Sequence, residues 1–94
     1  MNVHQELNDD AVLRLLSDRN LALDLDTDSQ PARPSVIGLV HHESATTAIL
    51  FLRFVGHANP ADNGYAAYVV EAENGLDAVR EASKIYLQIK DGFI

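Results

Sequence analysis

The chain has no cysteine, and this absence excludes several kinds of site at once. None of its 94 residues can form a disulfide, hold structural zinc through a thiolate or act as a thiol nucleophile. The five glycines are dispersed, so no glycine-rich loop is available to bind a phosphate group. None of the five serines lies in a Gly-x-Ser-x-Gly motif. We therefore expect a protein that is not an enzyme and that uses no cofactor.

Long apolar segments and leader-like features are missing as well. The apolar run Ala48–Leu52 is far too short to cross a bilayer. The first six residues lack the basic and apolar regions of a signal peptide. We therefore expect a cytoplasmic protein that has no membrane among its partners.

Basic residues are few. Seven Lys and Arg stand against 14 Asp and Glu, which gives a formal net charge of −7. Direct nucleic-acid binding needs clustered basic residues, so we expect none. Residues 1–30 hold seven acidic and two basic side chains. This acidic third either keeps the protein soluble or docks on a basic protein. An acidic inhibitor of a nucleic-acid-binding protein would be one example of such docking.

The hydrophobic periodicity predicts one α+β domain over residues 1–94. We expect a mainly antiparallel sheet of about four strands with an amino-terminal and a carboxy-terminal helix, in the order α-β-β-β-β-α. The predicted elements are a helix near residues 3–18, strands at 21–26, 36–43, 46–55 and 65–73, and a helix that follows Asn74. The second and third strands form a hairpin that sets His41 opposite Ile49.

The two predicted helices have recognisable ends. Asn20 ends the first helix. Asn74 caps the second, with Asp77 completing a pattern similar to a capping box, and Gly92 lies just beyond its end. One apolar stripe of the second helix is expected to be buried: Leu76, Val79, Ala82, Ile85, Tyr86 and Ile89.

The segment Ala48–Val55 carries the main functional hypothesis. Arg53 is its only polar residue, so as a strand it is apolar on both faces and belongs in the middle of a sheet. With both helices on one sheet face, the other face stays open and is expected to bind a second copy or an unknown protein partner. The candidate interface residues are Ile49, Phe51, Arg53, Val55 and Tyr68. In the alternative, the first helix and the long loop cover this face within one chain.

A second hypothesis places a small-ligand or enzymatic site in the loop Gly56–Gly64. The loop is longer than its connection needs, and its candidate residues are His57, Asp62 and Tyr65. For metals the prediction is negative. His41 and His42 would point to opposite faces of a strand, and Asp24–Asp28 offers no closed set of ligands.

Overall fold

A four-stranded antiparallel sheet with two helices makes up the described part of this chain, which is residues 1–23, 35–56 and 64–93 of a computed structural model. Its elements are β1 (Asn2–Glu6), α1 (Asp9–Asp18), β2 (Ser35–His42), β3 (Thr47–Val55), β4 (Gly64–Glu71) and α2 (Gly75–Phe93). The predicted α+β class, with a mainly antiparallel sheet of four strands and two helices, is confirmed.

The strand order is β1-β4-β3-β2, and each neighbouring pair is antiparallel. β2 and β3 form the predicted hairpin, in which His41 is paired with Ile49. β3 therefore has a strand on each side, as its apolar sequence predicts. The two ends of this order, β1 and β2, are the edge strands of the sheet that the described residues build.

Each face of the sheet is covered by its own helix. On one face, Leu50 and Leu52 of β3 pack with Ala82 of α2. On the other face, Phe51 packs with Val12 of α1. The expectation that both helices share one face is therefore wrong. Since α1 and α2 lie on opposite faces, β3 is covered on both sides by its own chain.

The amino terminus differs from the predicted helix over 3–18. Asn2–Glu6 forms β1, in which Val3 is paired with Val70 of β4. α1 begins only after Asn8, whose Oδ1 accepts a hydrogen bond of 3.1 Å from the backbone N–H of Ala11. The element order of the described residues is thus β-α-β-β-β-α.

The segment after α1 keeps the predicted burial but not the predicted strand. Asn20 ends the helix as expected, with a positive φ of 56°, and the N–H of Leu21 donates to the carbonyl of Leu16. Leu23 is buried and Ala22 is exposed, while residues 21–23 have no strand structure. The rest of the predicted strand, 24–26, lies outside the described residues.

α2 has the predicted cap at its start, but its buried apolar stripe differs from the predicted one. Asn74 Oδ1 accepts a hydrogen bond from the Asp77 N–H at 2.9 Å, and Asn74 Nδ2 donates to Asp77 Oδ2 at 3.0 Å. The helix continues through Gly92 to Phe93 rather than ending before Gly92. Leu76, predicted to be buried, is 60% exposed, and the stripe is centred on alanines instead.

Candidate functional site

Three residues of the predicted interface lie in the core. Ile49, Phe51 and Val55 have relative exposures of 3%, 0% and 7%. Ile49 and Phe51 belong to the cluster that α1 completes with Val12 and Leu16. The open apolar face on which the interface hypothesis depended is therefore occupied by α1 and the residues that follow it.

Arg53, the only polar residue of β3 between Ala48 and Val55, connects the sheet to the segment after α1. Its Nη1 donates a hydrogen bond of 2.6 Å to the carbonyl of Leu23. Its guanidinium carbon lies 5.5 Å from the ring centroid of Tyr65, within the range of a cation–π contact. Arg53 is half-buried and holds residues 21–23 against the sheet, so it acts within its own chain.

Tyr68, the fifth predicted interface residue, lies on the opposite face of the sheet. Its side chain packs in the cluster formed with α2, and its hydroxyl accepts a hydrogen bond of 2.7 Å from Gln5 Nε2. The five candidate residues therefore do not form one surface. Tyr68 instead ties β4 to the edge strand β1.

Of the predicted ligand loop, only Tyr65 can be placed, since His57 and Asp62 lie outside the described residues. The Tyr65 N–H donates a hydrogen bond of 3.0 Å to Asp9 Oδ1 at the start of α1. A cleft of about 440 Å³ lies beside its ring, lined otherwise by α1 and residues 20–23. Besides Tyr65, the described lining consists of leucine, alanine, serine and asparagine side chains, so the part of the lining that the structure describes contains no acid–base pair.

An ion-pair network joins α1 to the β2–β3 turn. Arg19 makes a forked contact with Glu43, from Nε to Oε2 at 2.6 Å and from Nη2 to Oε1 at 2.8 Å. His41 Nε2 lies 3.1 Å from the same Oε2. The hydrogen bonds from Arg19 lower the pKa of Glu43, and the carboxylate in turn raises the pKa of Arg19. The network fastens the end of α1 to the sheet.

Sequence reasoning missed this network although half of it is local. His41 and Glu43 are two residues apart at the end of a strand, so their side chains share a face. His42 lies on the other side, where its Nε2 would be 2.6 Å from a β-carbon placed at Gly75. The predicted separation of the two histidines is thus confirmed. The contribution of Arg19 depends on the packing of α1, which no local pattern reveals.

Glu43→Gln tests the network through its pH dependence. We expect the free energy of unfolding at pH 7 to fall by about 0.5–1 kcal/mol, since the pair is partly exposed. Because the folded state lowers the pKa of Glu43, its contribution is complete above the ordinary value of 4.5 and is lost as the pH falls through the folded-state pKa. Urea unfolding at pH 7 and at pH 3 measures both contributions, and the difference between the two proteins should be smaller at pH 3 than at pH 7. Glu73→Gln, an equal charge change at an exposed residue, is the control, and an equal loss there would contradict the assignment.

The outer edge of β2 is the first part of a candidate binding surface. β2 has eight residues, mostly apolar, without proline, lysine or any carboxylate. In the described ranges no strand pairs with its outer side. Natural proteins protect such edges with charges, prolines or bulges, because an edge strand can add a strand from another molecule. The other edge, β1, is shorter and ends in Glu6.

The flank of α2 above this edge carries exposed leucines. Ala82 is fully buried over the sheet, and Tyr86 packs closely on Gly38 of β2. Successive helical residues are rotated by about 100°, so Leu76 and Leu87 lie about 120° and 140° around α2 from Ala82, on the same side of the helix as Tyr86 but pointing away from the sheet. Leu76 and Leu87 are 60% and 57% exposed.

We call these two features together the edge surface. It consists of the outer edge of β2 and the α2 residues Leu76, Val79, Ser83 and Leu87, which share one flank of the helix. An apolar strand edge below an apolar helix flank has the composition of a protein-binding site.

Other kinds of site find less support in the described residues. Among them, no three His, Asp or Glu side chains are grouped so that they could hold a metal ion. No helix in that part of the chain has the length and apolar composition to cross a membrane. No family model, curated protein or solved structure matches the chain. The edge surface is therefore the candidate that geometry alone supports best.

Proposed function

We propose that this chain is a non-enzymatic, cytoplasmic protein that acts through protein–protein binding as a homodimer, with the edge surface as its interface. The supporting observation is the long apolar edge of β2 beside the exposed Leu76 and Leu87. An edge of this kind left in water would cause uncontrolled association, whereas a twofold dimer covers it in a closed way. The interface is thus a sheet edge and a helix flank rather than a sheet face.

A second copy is favoured over a basic partner by the charge of the surface. The flank residues Leu76, Val79, Ser83 and Leu87 are uncharged, and Lys90 on the same flank is basic, so the surface offers a basic protein no carboxylates to bind. The acidic-inhibitor hypothesis depended on the seven acidic residues of positions 1–30, of which Asp24, Asp26 and Asp28 lie outside the described residues. The dependence of association on salt concentration distinguishes the homodimer from docking on a basic protein. Screening should strengthen association between two copies that each carry −7, and it should weaken docking on a basic protein.

Leu87→Lys tests the interface by placing a charge on the edge surface. We expect the wild-type chain to sediment at about twice 10.3 kDa at micromolar concentration and the variant to sediment at 10.3 kDa. Leu87 is 57% exposed, so the fold of each chain should survive, whereas burying an unpaired ammonium in a dimer costs several kcal/mol. Circular dichroism verifies the fold.

The matched control is Leu13→Lys, the same change at a leucine of α1 that is 43% exposed on the opposite face. It should remain a dimer. A wild-type monomer at all concentrations up to ~100 μM would overturn the proposal, since a dimer that weak has a binding free energy of only about 5–6 kcal/mol. Dissociation of Leu13→Lys as well would move the interface away from the edge surface.

A further inference from the structure

We propose that Asn74 is a site of spontaneous chemical modification, at which the side-chain amide is converted to an acid at a rate set by the cap of α2. The sequence supplies a reactive pair, because Asn74 is followed by Gly75. The structure supplies the control, because two hydrogen bonds of the cap hold the Asn74 side chain in place. The modification does not depend on whether the chain is a dimer.

The reaction joins the Asn74 side chain to the backbone of the next residue. The backbone nitrogen of Gly75 gives up its proton and attacks Cγ of Asn74, which forms a C–N bond and closes a five-membered cyclic imide. The bond from Cγ to Nδ2 breaks, and Nδ2 leaves as ammonia with one added proton. Water then opens the imide at one of its two carbonyls, which leaves an aspartate or an isoaspartate residue. Glycine favours ring closure, because it has no side chain to hinder the attacking nitrogen.

The packing of α2 on the β2–β3 turn favours glycine at this position. A β-carbon at Gly75 would lie 2.6 Å from Nε2 of His42 and 3.2 Å from the backbone oxygen of Ala45. Even if the His42 ring moved aside, the contact with the backbone of the turn would remain tight. The cap in turn favours an asparagine just before the helix. These two requirements place an Asn–Gly pair at the start of α2, where Asn74 is exposed to water.

The cap also opposes ring closure. Oδ1 of Asn74 accepts a hydrogen bond of 2.9 Å from the Asp77 N–H, and Nδ2 donates one of 3.0 Å to Asp77 Oδ2. Ring closure turns Cγ toward the Gly75 nitrogen and expels Nδ2, so neither hydrogen bond survives it. The amide therefore reacts while the first turn of α2 is open. Opening of a helix end costs far less free energy than unfolding of the whole domain.

Conversion weakens the start of α2. The first turn depends on Asn74 twice, since its backbone carbonyl accepts a hydrogen bond of 3.1 Å from the Ala78 N–H and its side chain accepts one from the Asp77 N–H. In the isoaspartate product the backbone runs through the former side chain and is one carbon longer, which displaces both acceptors. In the aspartate product a carboxylate replaces the amide donor beside Asp77, so two negative charges come into contact.

Peptide mapping by mass spectrometry of protein kept at neutral pH measures the conversion. We expect Asn74 to react about tenfold to a hundredfold more slowly in the folded protein than in the same chain unfolded by guanidinium chloride. Asn8 is the internal control. It caps α1 through a hydrogen bond from the Ala11 N–H, but Asp9 follows it, so it should stay intact over the same period. Fragment spectra separate Asn74 from Asn63, which also precedes a glycine and lies outside the described residues.

Asp77→Ala tests the control by the cap. It removes the acceptor for Asn74 Nδ2, so conversion should become about twofold to tenfold faster, the change in population that one hydrogen bond produces. Glu81→Ala, a similar change one turn further along α2, is the matched control and should leave the rate unchanged. Phe51→Leu weakens the core on the other sheet face without touching the cap, and it too should leave the rate unchanged, because the first turn opens locally.

Each result supports or overturns one step. Equal rates in the folded and the unfolded protein, or no conversion of Asn74 in the unfolded chain, would overturn the proposed site. Equal acceleration by Asp77→Ala and Phe51→Leu would make global unfolding the route and overturn the role of the cap. In the converted protein, the amides of Asp77 and Ala78 should exchange with solvent about fivefold faster, and unchanged exchange would exclude a loosened α2. A monomeric wild type would overturn the homodimer and leave this site in place.

Discussion

Phe51→Ala should lower the free energy of unfolding by about 3–5 kcal/mol, because it removes a large buried side chain and leaves a cavity. Phe51 has no exposed surface and packs beneath Val12 of α1. Urea unfolding followed by circular dichroism measures the loss. Leu13→Ala, at a leucine that is 43% exposed, should cost less than about 1 kcal/mol.

The same experiment tests the corrected position of Phe51. A core residue loses its contacts within one chain, so the destabilisation of a variant held monomeric by Leu87→Lys should be equally large. If the loss disappeared in that monomeric background, Phe51 would belong to an interface after all. Total stabilities are about 5–15 kcal/mol, so Phe51→Leu, with an expected cost of about 1–1.5 kcal/mol, provides a milder variant that stays folded.

Local patterns predicted much of the sheet and of α2. The alternation of Ala48–Val55 assigned each side chain of β3 to its correct face, because the period of two depends only on backbone geometry. The short turn after His42 set the register that pairs His41 with Ile49. The Asn74 cap depends on residues three apart, so it could be read directly.

Non-local contacts determined what the sequence did not predict. β1 is mostly exposed and has no strong alternation, and it exists because it pairs with β4, which lies far away along the chain. Leu7 lies at helical spacing from Ala11 and Leu15, and the predicted helix was extended through it beyond the true start after Asn8. The choice of face for α1 likewise depends on the path of the whole chain.

The candidate site was harder to predict than the fold for the same reason. The doubly apolar β3 correctly indicated two covered faces, but its sequence carries no information on whether α1 or a second copy supplies the second cover. The edge position of β2 follows from strand order, which is a tertiary property. Leu76 fits the apolar spacing of α2 yet points away from the sheet, because the buried stripe is centred on Ala78 and Ala82. The edge surface could therefore be recognised only from the folded structure and not from the sequence.

Gly38→Ala should lower the free energy of unfolding by about 1–3 kcal/mol, as overpacking of a well-packed core does. A β-carbon at Gly38 would lie 2.5 Å from both Cδ2 and Cε2 of Tyr86, a ring that is rigid and packed against the sheet. At a strand position without such a neighbour, the same change would be neutral or stabilising, because alanine restricts the unfolded chain more than glycine does. The expected sign thus depends on Tyr86 alone.

A double-mutant cycle isolates that contact. In a Tyr86→Ala background the ring is gone, so adding Gly38→Ala should no longer destabilise the protein, and the coupling between the two changes should reach about 1–3 kcal/mol. Gly92→Ala is the matched control, since a β-carbon there meets no atom within 4 Å, and it should leave stability unchanged or raise it by up to about 1 kcal/mol. An equal loss from Gly38→Ala with and without the Tyr86 ring would show that the packing of α2 on β2 is not what requires glycine at this position.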